Sequence, residues 1–192
     1  MTLETTLNEV LRKIGRNVIL FQELEHLLKY LVADGPISGY ISELEQKMER
    51  RKSSTNTQTM GQLIGQYFEN SSPENQEILE DPKYFKEERF IWFKYGSGDP
   101  SFHDKKKKTL AKLVADRNEL IHHLLPQLDT NSIESCIEVG KKLDEQRDKI
   151  VRQSKNLRLE IDAIQQSAKL MVSFFNSSMG RAELERLAEL SK

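Results

Sequence analysis

The chain has 192 residues, enough for one domain with a real core. It carries 29 Lys and Arg against 30 Asp and Glu, a net charge of -1, so it is no polycation and any nucleic-acid contact must come from a local patch. One cysteine, Cys136, excludes an intrachain disulfide. It sits among apolar neighbours at helical spacing and reads as an inert core residue.

Charged residues make up 31% and aromatics 7%, a mix that suits long helices with solvated faces. The longest apolar runs, such as Val18-Ile19-Leu20-Phe21, are about four residues, far short of the ~20 a membrane span needs. Met1-Thr2-Leu3-Glu4 lacks the basic and apolar regions of a signal peptide. A cytoplasmic protein without a membrane partner is expected.

The three-and-four spacing of Leu3, Leu7, Val10, Ile14, Phe21, Leu24, Leu28 and Leu31 predicts one helix over 3–33, interrupted only by Asn17. Asp34-Gly35-Pro36 should end it, with Gly35 as a left-handed cap. A second helix is expected over Ile37 to Arg51. Lys52 to Thr59 is polar and reads as a loop, and a short helix follows over Met60 to Phe68. Asn70 to Pro82 holds two prolines and reads mostly as loop.

Tyr84, Phe85, Phe90, Trp92, Phe93 and Tyr95 then crowd together. Phe90-Ile91-Trp92-Phe93 has strand propensity, and Gly96-Ser97-Gly98-Asp99-Pro100 is a turn signal. A small hairpin or extended insertion near 88–103 is predicted. The aromatics read as core filling, with a base-stacking platform as the alternative.

A further helix should span Phe102 to Leu125. The last long one should run from Asn131 to Phe175 on a heptad stripe. One row of that stripe is Cys136, Leu143, Ile150, Leu157, Ile164 and Met171, and the other is Ile133, Gly140, Arg147, Ser154, Ile161, Ala168 and Phe175. At ~1.5 Å per residue such a helix reaches roughly 68 Å and needs a partner along its length. The first helix, packed antiparallel, is the candidate. Arg147 should find a carboxylate such as Asp144 or Asp148, or the stripe should open to solvent there. The expected architecture is all-α: an antiparallel bundle over 1–176, with a short amphipathic tail over 177–192.

Usable chemistry concentrates in Arg117-Asn118-Glu119-Leu120-Ile121-His122-His123. A guanidinium can hold phosphate, a carboxamide can orient a neighbour, and an imidazole can move protons near neutral pH. Pro126 offers no amide hydrogen to the carbonyl of His122, so the helix should kink or end there. In a straight helix Arg117 and His122 would stand about 140° apart, whereas Asn118 and His122 share a face. Upstream, Lys105, Lys106, Lys107 and Lys108 sit in early helical turns, where they oppose the dipole. They are candidate phosphate contacts, the alternative being a solvated face. Arg50-Arg51-Lys52 is a smaller basic cluster of the same kind. His26 reads as a packed or surface residue, and His103 as exposed beside a turn. There is no Gly-rich phosphate loop and no Cys/His metal spacing, so neither metal nor other cofactor is expected.

Arg117, a polar residue, three more residues and then His122, late in a helix of an all-α chain, resemble the HEPN superfamily of ribonucleases. Its signature is an Arg, four to six residues, and a His. His122 fits with four intervening residues and His123 with five. The resemblance implies a helical bundle that dimerises, with two motifs facing each other across a cleft. It implies metal-independent RNA cleavage leaving 2′,3′-cyclic phosphate ends, or RNA binding with activity lost. In the active form His122 would act as general base or acid, Arg117 would stabilise phosphoryl charge, and Asn118 would orient the imidazole or the phosphate. His123 is a second candidate for that place, but since one imidazole per subunit suffices it reads rather as a residue without a catalytic role. The implied setting is a toxin or phage-defence effector with a cognate antitoxin or defence partner. One branch carries a Tyr two residues after the His, where this chain has Leu124, which departs from control through such a tyrosine. The reading from a different class is a catalytically silent helical RNA-binding or protein-interaction module.

Overall fold

A computed structural model describes residues 2–35, 37–71, 90–93 and 100–190. The first helix, α1 (Leu3–Ala33), begins where the Thr2 side chain accepts a hydrogen bond from the Thr5 amide and satisfies one of its free donors. Glu4 in the first turn complements the dipole. Val10, Phe21, Leu24, Leu28, Leu31 and Val32 form its buried stripe. The helix closes with the Asp34 amide donating to the Tyr30 carbonyl. Gly35 is not left-handed, contrary to the expected cap. A Cβ there would lie 3.1 Å from the Val32 carbonyl oxygen and 3.2 Å from that of Leu31, so crowding explains the glycine.

Strand β1 (Ile37–Tyr40) comes next, where a helix from Ile37 was expected. It pairs antiparallel with β2 (Phe90–Phe93), Ile37 opposite Phe93 and Tyr40 opposite Phe90. The extended reading of Phe90 to Phe93 therefore holds, but its partner is not a local hairpin strand. Tyr84, Phe85, Tyr95 and the Gly96–Asp99 turn lie outside the described residues.

Helix α2 (Ile41–Asn56) corrects the expected loop from Lys52. The polar side chains stay helical by folding back. Ser54 Oγ donates to the Arg51 carbonyl and Thr55 Oγ1 to that of Lys52, both at 2.9 Å. Thr55 is buried, Arg51 donates to the Gly35 carbonyl, and Lys29 of α1 donates to that of Asn56. A reciprocal cap then opens α3 (Met60–Ser71). The Thr59 amide donates to Gln62 Oε1, and the Gln62 amide to Thr59 Oγ1. Met60, Leu63, Ile64, Tyr67 and Phe68 bury its inner face, and α3 packs on α1 and on α4 (Pro100–Asn118). Because α4 starts at Pro100, residues 100–103 belong to a helix and not to the insertion.

The long helix α5 (Ile133–Asn176) starts on Ser132, whose Oγ accepts from the Ser135 amide. Cys136, Leu143, Ile150 and Leu157 are buried, as the stripe predicts. Its contact with α1 is polar at the centre. Asn17 Nδ2 donates to the Leu143 carbonyl at 2.8 Å and to Gln146 Oε1 at 2.9 Å. Lys13 and Arg16 both hold Asp144. Val10 and Lys13 approach Gly140, and Asn17 reaches Leu143 and Gln146. The partners advance together along both helices, so α1 and α5 run in the same direction here. This corrects the antiparallel pairing expected of these two helices. A heptad stripe states that two faces meet but reads the same in either direction. Arg147 pairs with Asp148 at 2.8 Å and is exposed, so it stands outside the apolar seam.

Helix α6 (Ser178–Leu190) completes an all-α architecture with one small ribbon. The chain forms two compact units, Met1–Lys155 and Asn156–Lys192. Among the described residues no helix is long and apolar enough to cross a membrane.

Candidate functional site

Helix α4 is oriented by Leu110 and Leu113, both buried. Its regular pattern stops at Asn118. Glu119–His123 forms a π-helical turn, followed by a 3-10 turn at Leu125–Gln127. Pro126 accounts for the disruption, having no amide for the His122 carbonyl and a ring that crowds it. Hydrogen bonding shifts from i→i+4 to i→i+5, which puts more residues into one revolution. Positions five apart then fall nearer to register than the ~140° of a straight helix. Arg117 precedes this turn, and His122, five residues on, lies within it.

The turn is braced at both ends. Leu120 is buried, and the turn packs against α1. Gln127 Nε2 donates to Glu119 Oε1, tying the 3-10 turn back to the π turn. Gln146 of α5 donates through Nε2 to the Asp116 carbonyl at 3.0 Å. Gln127 and Gln146 hold the geometry of the motif, and neither has a sequence signal, because each acts through one tertiary bond. One carboxylate oxygen of Asp116 is buried without a hydrogen-bond partner.

His122 and His123 are both exposed, their ring centroids 6.2 Å apart with planes at 66°. Among the described residues neither imidazole is hydrogen-bonded, so both are open to a ligand. Arg117 is half-buried and donates through NH1 to Asn118 Oδ1 at 3.3 Å, within its own segment. Neither Asp116 nor Glu119 pairs with it. The structure therefore joins Arg117 to Asn118 and sets His122 beside His123, with no hydrogen bond between the two pairs among the described residues.

The lysine run is separate. Lys106 lies three turns before Arg117 on the same face of α4, about 17 Å along the axis. Its ammonium donates to Tyr67 Oη at 2.6 Å and lies 4.7 Å from that ring's centroid. Lys107 stands 6.0 Å from the Phe68 centroid. Lys105, Lys107 and Lys108 are exposed, whereas Lys106 is half-buried against α3. His103 is also half-buried, edge-on to Phe68 at 4.8 Å, with Nε2 enclosed and unpartnered. It was expected to be exposed, but it lies inside the first turns of α4, where α3 covers it. His26 is at the surface. Among the described residues no cluster of three His, Cys, Asp or Glu side chains gathers to hold a metal.

Compared with known proteins, the chain matches no family model, no curated protein and no solved structure.

Proposed function

We propose that this chain is a metal-independent endoribonuclease of HEPN type, acting as a homodimer in a toxin or defence role. The observation that carries the reading is the π turn that follows Arg117 and contains His122, with both imidazoles exposed and, among the described residues, free of hydrogen bonds. In the proposed reaction His122 takes the proton of an RNA 2′-hydroxyl as that oxygen attacks the adjacent phosphorus. The P–O5′ bond breaks. The leaving 5′-oxygen receives a proton from a complementary imidazole, His122 of the partner subunit. Arg117 stabilises charge on the non-bridging oxygens, and Asn118 orients the guanidinium it already touches. The products are a 2′,3′-cyclic phosphate and a 5′-hydroxyl. Lys105, Lys107 and Lys108 would meet phosphates further along the strand.

The test is cleavage of RNA by the purified full chain in excess chelator. Arg117→Ala and His122→Ala should each lower the rate at least ~100-fold with helical content unchanged, while His123→Ala keeps most of it. DNA should not be cut, since it lacks the nucleophile. If wild type cuts no RNA, or all three variants match it, the ribonuclease reading fails and a silent interaction module replaces it. If His123→Ala is dead and His122→Ala active, the site stands and the imidazole is reassigned.

A further inference from the structure

Residues 156–192 carry five basic and five acidic side chains, yet the charge is unevenly spread. From Ala163 to Gly180 only Lys169 is charged, in a chain that is 31% charged overall. This segment covers the last turns of α5 and the corner into α6. Every residue from Gln165 to Asn176 is exposed, in contrast to the same stripe nearer the start of α5.

At about 100° per residue, Leu170, Phe174, Met171, Phe175 and Val172 follow one another around roughly 200° of the helix. Only Lys169, Ser173 and Asn176 occupy the remaining strip. Leu170 is 72% exposed and Val172 61%. A helix apolar over so wide an arc is ordinarily covered.

The corner beyond is specified, not frayed. Ser177 Oγ accepts from the Gly180 amide at 3.1 Å and caps α6, and Arg181 donates to the Asn176 carbonyl at 2.9 Å. A Cβ on Gly180 would fall 2.1 Å from the Phe174 carbonyl oxygen and 2.8 Å from Phe175 Cα, so only glycine permits this approach. It leaves Met179, 69% exposed, just beyond the apolar end of α5, with Leu184 exposed five residues later.

We propose that this α5–α6 end is a docking face for a second copy of this chain. Two quantities favour a like partner. At roughly 200 Å² for a fully exposed large side chain, these apolar residues present about 700 Å² per chain, near the ~800 Å² per partner of a standard interface. Five basic against five acidic side chains over 156–192 leave no net charge for two copies to repel, and no basic excess to draw the segment to an anionic lipid surface. The proposal deepens the homodimer named above by locating a contact for it; since none of these residues belongs to the turn carrying Arg117 to His123, a failure to cleave RNA alone would leave it standing.

The test is the solution mass of the full chain by light scattering at tens of micromolar. Wild type should weigh twice the 22.3 kDa chain mass. Leu170→Glu with Phe174→Glu should return it to a single chain with its circular dichroism unchanged. Should the glutamates cost helix, Leu170→Gln with Val172→Thr should still raise the dimer dissociation constant at least tenfold. Ile19→Glu, at an apolar residue of α1 that is 66% exposed, should leave the dimer intact, as should Arg117→Ala. Wild type running as a single chain overturns the proposal, whether or not it floats with phosphatidylcholine vesicles. So does a dimer that survives the tip substitutions.

Discussion

Asn17 is the residue whose loss should be felt most in the packing of α1 on α5. It is fully buried in an otherwise apolar row. Its amide nitrogen donates to the Leu143 carbonyl and to Gln146 Oε1, and its oxygen accepts from Arg16 Nε at 3.1 Å. Asn17→Ala removes both donated bonds, each worth about 1 kcal/mol net. It also leaves a void the size of a carboxamide, which adds about another 1 kcal/mol at ~24 cal/mol per Å³. Gln146 keeps its bond to the Asp116 carbonyl, and Leu143 keeps a contact from Arg16 at 3.3 Å, so the loss is partial. The expected cost is about 2–4 kcal/mol, and a drop in Tm of roughly 5–12 °C for a chain of this length. Urea unfolding followed by circular dichroism reads it, and Asn17→Ala combined with Gln146→Ala isolates the shared bond as a coupling of about 1 kcal/mol. A cost under ~0.5 kcal/mol for Asn17→Ala, or single effects that simply add, refutes the reasoning.

Two further substitutions probe the surroundings. Asp144 accepts from Lys13 at 2.6 Å and from Arg16 at 3.0 Å. The Lys13 hydrogen bond holds its carboxyl below the usual range, partial burial pushes the other way, and Arg16 adds to the lowering. A depressed folded pKa means the stabilisation is complete above the unfolded value of ~3.9 and lost as pH falls through the lower folded one. With the carboxylate 47% exposed, Asp144→Asn should cost only about 0.5–1 kcal/mol at neutral pH, and urea melts of the two proteins should converge in strong acid. Pro126→Ala restores an amide beneath the His122 carbonyl. The expected result is a regular i→i+4 pattern through 119–123, read by NMR, with any RNA cleavage reduced at least tenfold although the fold is no less stable.

The helices were legible because burial follows a period. α1 is observed over Leu3–Ala33 as expected, and α5 starts two residues later than expected and ends one residue later. What escaped depends on partners far along the chain. Ile37 to Tyr40 looks locally like the start of a helix and becomes a strand only because Phe90 to Phe93 lies beside it. Lys52 to Asn56 lacks apolar periodicity, yet its hydroxyls bond back to the preceding turn and Thr55 is buried. The heptad stripe misled in one respect. Met171 and Phe175 continue it by sequence, yet both are exposed. A pattern records that a face is apolar, not which chain covers it.

At the candidate site the sequence named residues but not their arrangement. The chemistry was visible as residue types in a seven-residue run, and Pro126 marked where regular geometry had to fail. That the failure takes the form of a wider turn follows from restraints on either side of it. Leu120 must stay buried and Gln127 must reach Glu119, while Gln146 fixes the Asp116 carbonyl in the last turn of α4. An unbraced helix end would fray and let Arg117 and the imidazoles sample many orientations. Anchored at both ends, the extra residue is held within the helix, and the two histidines remain side by side at the surface. A proton-transfer site depends on such fixed placement, because an error of about an ångström in a reacting group can cost ~100-fold in rate. In the proposed ribonuclease the bracing glutamines would matter as much as the residues that would touch RNA.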